Sequence, residues 1–203
     1  TVLTGRNGIG KTSILEAIGI LGSGRSFRNG KNADFIKSNE EVAFLSGEVT
    51  HSGLSTHIKI RIYPQGKKIF LDDKLAKSTE ILQKLLPTIV FSPADHRIID
   101  GDSSDRKQFL NRAISNVDWE YLEDTLHYNK VLAQRNRILK DASIEGWSHS
   151  RFQDVVMAWD EQLLTYGARV MIKRHYYLSE LSPKATEEYR RISLSEDDFH
   201  ILY

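Results

Sequence analysis

The chain has 203 residues and a mass of 23.2 kDa, which is enough for one sizeable core or a core with a small second lobe. Because it contains no cysteine, disulfide scaffolds, cysteine nucleophiles and thiolate metal sites are excluded. The mean hydropathy of -0.40 and the lack of any apolar run near about eighteen residues argue against a membrane-spanning helix. We expect a soluble, cytoplasmic protein without membrane contact. With a net charge of only +1, any nucleic-acid binding would depend on local basic patches.

Both ends of the chain have the pattern of interrupted secondary structure. Residues 1–4 resemble only the end of a strand, and residues 189–203 stop within what has the pattern of another strand. We therefore expect the chain to be a fragment that is incomplete at both ends.

The strongest motif lies between that first strand and a helix predicted over residues 13–21. Residues 5–12 have the sequence G-R-N-G-I-G-K-T, which fits the phosphate-loop pattern G-x-x-x-x-G-K-[ST]. Glycines let several backbone N–H groups turn toward phosphate oxygens, and the helix N-terminus adds a positive end. Lys11 would reach the β- and γ-phosphates and Thr12 would hold Mg²⁺. The candidate ATP-binding residues are Gly5, Arg6, Asn7, Gly8, Ile9, Gly10, Lys11, Thr12 and Ser13. The alternative is a simple glycine-rich turn.

Two further segments resemble motifs needed for hydrolysis, but their context favours plain strands. Residues 68–73 are apolar and end in Asp72 and Asp73, yet they follow the alternating segment 56–63 and a turn at 64–66, which predicts a hairpin. Residues 45–48 resemble the signature of ATP-binding cassettes, which should open a helix, whereas residues 42–49 have a strand pattern. We therefore predict no catalytic residue within this chain.

The pattern of the chain changes near residue 101 from strands to long helices. Strands are predicted near 1–4, 42–50, 56–63, 67–71 and 88–91, so residues 1–101 should form a mixed α/β nucleotide-binding lobe with an antiparallel segment. Helices are predicted over about 103–116, 118–142 and 149–181, with a break at Pro183. Residues 102–185 should therefore form a helical lobe, and 186–203 should begin a return to the first lobe.

Two of these helices carry apolar residues spaced for packing against each other, with the turn between them at residues 144–148. The pair should form an antiparallel helical hairpin. The predicted seam consists of Trp119, Leu122, Leu126, Leu132 and Leu139 on one helix and Phe152, Val156, Trp159, Leu163, Tyr166 and Val170 on the other.

Basic residues are concentrated in three segments that could contact phosphates, although a solvated surface is the alternative for each. One segment, at Arg106, Lys107 and Arg112, opens the helical region. The histidines lack the spacing of a metal site. The two clusters that we consider for DNA are Arg25, Arg28 and Lys31, and Lys130, Arg135, Arg137 and Lys140.

Several separated motifs together resemble the RecF family, recombination and gap-repair ATPases related to the ATP-binding-cassette heads of SMC proteins. Besides the phosphate loop, the similarity rests on residues 21–28, 90–95, 106–110, 128–136 and 159–168. Departures occur at 101–103, where Gly-Asp-Ser replaces Gly-x-Pro and should loosen the turn. Lys107 replaces an arginine and cannot form its bidentate fork, Asn111 replaces an aspartate and His96 a leucine.

The resemblance implies a P-loop head that uses ATP and Mg²⁺ as a switch. It implies an ATP-dependent homodimer that holds double-stranded DNA near single-strand gaps and junctions and releases it on hydrolysis. RecR and RecO would be the partners and recombinase loading the outcome. Asp95 would sense the γ-phosphate or contact the metal, or else cap a helix start. The open alternatives are a nucleotide or metabolite kinase and a nucleotide-binding scaffold without hydrolysis.

Overall fold

The computed structural model describes residues 1–28, 30–51, 53–194 and 199–201. The Cα positions divide the chain into two compact units, Thr1–Arg106 and Lys107–Tyr203. The fold is of the α/β class, with strands confined to the first unit and the longest helices in the second. No helix in the described ranges combines the length and apolar character needed to cross a bilayer.

The first unit consists of one helix packed on an antiparallel sheet, with two short helices after it. The helices are α1 (Lys11–Ser23), α2 (Ile81–Leu85) and α3 (Arg97–Asp100), and short 3-10 helices span Asn32–Phe35 and Pro93–His96. The strands, in the spatial order β1-β2-β3-β4, are β1 (Ala43–His51), β2 (Leu54–Tyr63), β3 (Gly66–Leu71) and β4 (Lys74–Leu75).

The sheet has one apolar face because its strands alternate. Ile60 on β2 faces Leu45 on β1 and Ile69 on β3, and burying each such side chain stabilises the fold by about 1.5–3 kcal/mol. The buried cluster consists of Ile20, Ile58, Ile60, Ile62, Ile69 and Leu82.

The predicted hairpin is confirmed, as is the strand assignment of residues 45–48. β2 and β3 pair in antiparallel register from Ile58–Leu71 to Tyr63–Gly66, and Leu45–Glu48 lies within β1. Asp72 and Asp73 form the turn between β3 and β4, both at positive φ. They therefore end a hairpin strand rather than a buried parallel strand.

The predicted strands at residues 1–4 and 88–91 were wrong for this structure. A strand requires hydrogen bonds to a neighbouring strand, and neither segment pairs with one among the described residues. Their apolar side chains are open to solvent, most of all Val2, Ile89 and Phe91.

The second unit is built from three helices: α4 (Ser103–Ser115), whose first residues belong to the first unit, α5 (Trp119–Glu145) and α6 (His149–Ser193). Asp118 caps α5 by accepting a hydrogen bond from the Tyr121 N–H at 2.8 Å. α5 ends at Gly146 in the left-handed conformation, which glycine adopts without steric cost. The predicted helices over 103–116 and 118–142 are confirmed within a few residues.

α5 and α6 are antiparallel, as predicted. Residues late in α5 contact residues early in α6, because Arg135 pairs with Asp160 while Asp118, just before α5, pairs with Lys173. The predicted seam is confirmed on α6, where Val156 and Val170 are buried.

The predicted seam was only partly right on α5. Leu126 is exposed, while Tyr121 and Val131 are buried. Tyr121 is fully buried, so its side of α5 faces the core. Leu126 lies on a different side of the helix and faces solvent.

The predicted helix break at Pro183 was also wrong, because α6 continues through it to Ser193. A proline removes one backbone donor and disturbs the preceding turn, but the following turns keep their own partners. The Thr186 hydroxyl donates to the Ser182 carbonyl at 2.9 Å, and the Leu194 N–H donates to the Arg190 carbonyl at 3.1 Å. α6 thus includes part of the segment 186–203 that we expected to return to the first lobe.

Candidate nucleotide-binding site

The phosphate loop is an exposed turn that leads directly into α1. Gly8 has φ 81° and Gly10 has φ 100°, a region that residues with a Cβ rarely adopt. Gly10 is the N-cap of α1 and provides no side-chain hydrogen bond to it. The first helical bond runs from the Ile14 N–H to the Gly10 carbonyl, so the N–H groups of residues 11–13 lie in the first turn without a helical acceptor. This N-terminus can donate to an anion.

Lys11 spans the loop from its C-terminal end. Its ammonium group donates to the carbonyl oxygens of Gly5 at 2.7 Å and Arg6 at 2.8 Å. The structure therefore brings a cation and the helix N-terminus to the same turn. Of the other predicted site residues, Asn7, Gly8, Ile9 and Gly10 form the turn itself, and Thr12 and Ser13 are exposed in the first turn of α1.

The residues of this loop fit a nucleotide phosphate. A Cβ added at Gly8 or Gly10 would meet no atom within 4 Å, so the demand for glycine there is conformational and the space above the loop stays open. Backbone N–H groups and an ammonium suit phosphate oxygens, and the Thr12 hydroxyl is the hard oxygen ligand that Mg²⁺ prefers. The described residues include no group of three acidic or histidine side chains that could hold a metal.

Asp95 makes the contact of a helix cap. Its carboxylate accepts hydrogen bonds from the backbone N–H of Ser92 at 2.6 Å and from the Ser92 hydroxyl at 3.0 Å. This is a capping box at the start of Pro93–His96. A role for Asp95 with phosphate or metal stays a prediction.

The face of α1 that is buried is not the face with most of its large apolar side chains. Ile14, Leu15 and Ile18 are about half exposed, whereas Gly19 and Ile20 are buried. Glycine at 19 and 22 lets α1 approach its neighbours closely: a Cβ at Gly22 would lie 2.8 Å from the Leu86 carbonyl oxygen.

Glu16 is the residue near this site that the sequence analysis missed. It is 8% exposed, accepts a short hydrogen bond from the Ser26 hydroxyl and lies 3.7 Å from the Arg28 guanidinium. The contacts join α1 to the basic connection that follows it. The signal that could have found Glu16 is an acid placed among apolar residues of α1, ten positions before Ser26.

A cavity of about 550 Å³ lies beside these contacts, bounded by α1, Arg28, residues 30–35 and strands β1 and β2. Its polar wall consists of Ser13, Glu16, Arg28 and Asp34. Arg25 and Lys31 are exposed nearby along the chain. Burial, followed by the charge of Arg25, lowers the pKa of Lys67, whose ammonium donates to the Gly24 carbonyl at 2.8 Å.

In the second basic cluster, one residue forms an ion pair between helices and the others lie on the surface. Arg135 forms a short ion pair with Asp160 across the helix pair, and this hydrogen bond raises the pKa of the guanidinium. Arg137 faces Asp141 along α5 at 3.7 Å. Lys130 and Lys140 are exposed. The structure therefore places these four residues on one helix but gives them different surroundings.

The turn that lacks the family's proline is closed by hydrogen bonds. Asp102 accepts from the hydroxyl and the N–H of Ser104 at 2.6 and 2.7 Å, contacts that lower the pKa of its carboxyl. Arg106 donates to the Gly101 carbonyl at 2.9 Å, and Arg97 pairs with Asp105 at 3.0 Å. Side-chain contacts thus hold this turn, and the expectation that the missing proline loosens it stays a prediction.

Asn111, another of the departures, has defined hydrogen bonds in the second unit. Its amide oxygen accepts from the Tyr121 hydroxyl and from the Arg174 guanidinium at 2.7 Å. Arg174 also donates to the Tyr121 hydroxyl at 2.9 Å. A neutral acceptor thus satisfies both donors and joins α4, α5 and α6.

Comparisons with known proteins agree with this geometry. Residues 1–162 match the family model described as "AAA domain, putative AbiEii toxin, Type IV TA system". The chain is 32% identical over 203 residues to the DNA replication and repair protein RecF of Clostridium botulinum (strain Loch Maree / Type A3), covering 100% of this chain and 54% of that protein. It is 35% identical over 205 residues to RecF of Caldanaerobacter subterraneus subsp. tengcongensis, again covering 54% of the relative.

Two solved structures that match this chain are also of RecF proteins. A structure of the recombination mediator RecF with ATP in the RecFOR pathway matches with a TM-score of 0.82 and 36% identity, over 92% of this chain and 50% of that one. The chain spans about half the length of the relatives that it matches. The chain therefore belongs to this AAA-domain family of P-loop ATPases and, within it, to the RecF proteins.

Proposed function

We propose that this chain binds ATP with Mg²⁺ and acts in an ATP-dependent DNA-binding protein of recombinational repair. The observation that carries the proposal is the phosphate loop, in which the Lys11 ammonium and the uncapped N-terminus of α1 meet at one exposed turn. The RecF structure with ATP supports the choice of nucleotide.

Each residue of the loop has a separate task in this proposal. Gly8 and Gly10 supply the backbone turn, and the first-turn N–H groups of α1 donate to phosphate oxygens. Lys11 exchanges its bonds to the carbonyls of Gly5 and Arg6 for bonds to phosphate, while Thr12 holds Mg²⁺ and Asp95 is a weaker metal candidate. When bound, ATP supplies the negative charge that these donors recognise.

The lobes and the partners follow from the same proposal. Residues 1–101 form the nucleotide lobe and 102–185 the helical lobe of a cytoplasmic protein that dimerises on ATP. Double-stranded DNA and junctions with single strands are the ligands, and RecR and RecO-like mediators are the partners. The relatives named in DNA repair and in the RecFOR pathway support this choice. The DNA candidates are Arg25, Arg28, Lys31, Lys130, Arg135, Arg137 and Lys140.

The test is binding of a fluorescent duplex by the full-length protein with ATP, with ADP and without nucleotide. Since the γ-phosphate would favour the dimer that binds DNA over the form that does not, we expect ATP, but not ADP, to promote duplex binding. Lys11→Ala should abolish this effect of ATP. Lys11 is half-buried, and its side chain bonds only to the exposed carbonyls of Gly5 and Arg6, so the variant should keep its fold and lose mainly the stabilisation that nucleotide provides.

Lys37→Ala is the control, because Lys37 is an exposed lysine of the first unit outside the phosphate loop. It should leave ATP promotion unchanged. If Lys11→Ala kept full ATP affinity, the site assignment would be wrong. If duplex binding ignored nucleotide in the parent protein, the switch would be wrong, and a kinase or a scaffold would become the better description.

A further inference from the structure

The sheet of the first unit has a second face, opposite the isoleucine core. Strand alternation places Phe44, Arg61, Tyr63, Lys68 and Phe70 on it, which we call the outer sheet face. Phe44 is opposite Arg61 in the β1–β2 register, and Arg61 is opposite Lys68 in the β2–β3 register. Three aromatic rings and two cations from three strands therefore share one surface.

The cations lie over the rings rather than against acids. The Arg61 guanidinium is 4.9 Å from the centre of the Phe70 ring, and the Lys68 ammonium is 5.8 Å from the centre of the Tyr63 ring. Within the described part of the chain, neither cation has an ion-pair partner. Their charges are therefore available to an anionic ligand while the rings hold the side chains in place.

The acids of the sheet lie away from this group. Lys59, on the same face, is neutralised by Asp73 at 2.6 Å. Glu48 lies opposite His57, toward the other end of β1 and β2. Within the strands, the end of the sheet near the β2–β3 turn therefore carries Arg61 and Lys68 but no acid, while Glu40 and Glu41 precede β1.

Phe44 adds an exposed aromatic ring to this surface. It is 68% exposed, although its neighbours Ala43 and Leu45 pack on the core. An exposed ring on a flat sheet beside unpaired cations can stack on an unpaired base while the cations contact the backbone phosphates. A duplex already stacks its bases internally and would gain little from the ring.

We propose that the outer sheet face binds single-stranded nucleic acid, with a base stacked on Phe44 and phosphates on Arg61 and Lys68. The inference rests on the proposed DNA-binding function and adds a surface to it. The basic clusters at 25–31 and 130–140 are contiguous in sequence, whereas this surface exists only after three strands pair.

The experiment measures binding of a fluorescent oligothymidine strand and of a duplex of equal length to the full-length protein at several salt concentrations. Phe44→Ala should weaken single-strand binding about ten-fold, as the loss of one stacked base does. The double variant Arg61→Gln/Lys68→Gln should lower the salt slope by about 1.4, since each phosphate contact on a single strand contributes about 0.7. Duplex affinity should change less than about two-fold.

Matched controls separate the surface from general effects. Phe91→Ala removes a phenylalanine that is 95% exposed elsewhere in the first unit, and Lys37→Gln removes an exposed lysine; both should leave single-strand binding unchanged. Phe44→Tyr keeps the ring and should retain affinity. Circular dichroism would confirm that each variant is folded.

The proposal is overturned if Phe44→Ala and the double variant bind single strands as the parent does, or if single-strand and duplex binding fall equally. Lys11→Ala distinguishes this failure from failure of the proposed function. It should remove ATP promotion of duplex binding and leave the Phe44-dependent single-strand binding intact. If ATP promotion of duplex binding is seen without Phe44-dependent single-strand binding, the outer sheet face is wrong. If the reverse is seen, the proposed ATP switch is wrong.

Discussion

The two units of the chain are stabilised by different kinds of contact. Thr1–Arg106 has an aliphatic core between α1 and the sheet, in which Ile58, Ile60 and Ile62 are fully buried. Lys107–Tyr203 has a smaller apolar cluster and depends in addition on polar contacts between helices, with Tyr121 at the centre. A sheet buries a whole alternating face, while three helices meet along narrow stripes and leave polar groups to be paired.

The difference teaches where each unit is vulnerable. Steric changes should damage the first unit, because α1 approaches its neighbours through glycines. Loss of a charge or a hydroxyl should damage the second unit, because its partners would remain buried without a hydrogen bond. All three tryptophans, Trp119, Trp147 and Trp159, lie in the second unit, so tryptophan fluorescence reports on that unit alone.

The largest effect is expected for Tyr121→Ala. Tyr121 is 0% exposed, so the change should lower the free energy of unfolding of the second unit by about 3–5 kcal/mol, as for other buried aromatic residues. Urea unfolding followed by tryptophan fluorescence would measure it. Tyr121→Phe is the control: it keeps the ring but leaves Arg174 and Asn111 without the hydroxyl, and should cost about 1–3 kcal/mol. Equal losses for both variants would contradict a role for the ring in packing.

Gly22→Ala should damage the first unit by crowding. The added Cβ would lie 1.9 Å from the Thr88 hydroxyl oxygen and 2.8 Å from the Leu86 carbonyl oxygen, and overpacking of this kind costs about 1–3 kcal/mol. Hydrogen exchange of the β1–β3 amides would detect it, since the first unit contains no tryptophan.

Gly19→Ala is the matched control within the same helix. Its nearest contact would be a Phe27 ring carbon at 3.3 Å, and the gain in helix propensity of about 1 kcal/mol offsets the crowding. Faster exchange in Gly19→Ala than in Gly22→Ala would contradict the steric account.

The features that could be predicted from sequence are those whose determinants are adjacent in the chain. The phosphate loop depends on consecutive residues, and the β2–β3 hairpin on alternation across a short turn, so both could be located before the structure. The helices α4 and α5 were found for the same reason, from a local period.

The features that could not be predicted join distant residues. Asn111, Tyr121 and Arg174 form one network although the chain separates the last two by 53 positions, and no local pattern pairs them. Glu16 and Ser26 meet only because the connection after α1 folds back. The outer sheet face was missed because its cations, Arg61 and Lys68, belong to different strands and form no basic run.

Asp118 should make the stability of the second unit depend on pH. Burial acts to raise the pKa of its carboxyl, but hydrogen bonds from the Tyr121 N–H and from Lys173 outweigh burial, and the pKa is lowered. Because the folded pKa lies below the unfolded one, the stabilisation is present above the unfolded pKa of about 3.9 and is lost as the pH falls through the folded pKa. Asp118→Asn should therefore cost about 1 kcal/mol near neutral pH and nothing at strongly acidic pH.

Urea titrations of parent and variant at neutral and acidic pH, followed by tryptophan fluorescence, would measure the effect. Asp141→Asn is the control, because its partner Arg137 is exposed and 3.7 Å away. A stability difference between Asp118→Asn and the parent that stays constant with pH would show that the charge contributes nothing.

The smallest effects should separate Arg135 from Arg137. Arg135 pairs with Asp160 across the two helices, so Arg135→Ala should lower the stability of the second unit slightly and, because its guanidinium is already engaged, reduce the salt slope of duplex binding by less than Arg137→Ala does. Arg137 is 76% exposed, so Arg137→Ala should leave stability unchanged and reduce the salt slope of duplex binding by about 0.9, the contribution of one phosphate contact. Fluorescence unfolding and duplex titrations at several salt concentrations would measure both. A slope reduced equally by the two variants would mean that the bond to Asp160 breaks when DNA binds, and that the helix pair and the DNA compete for the same guanidinium.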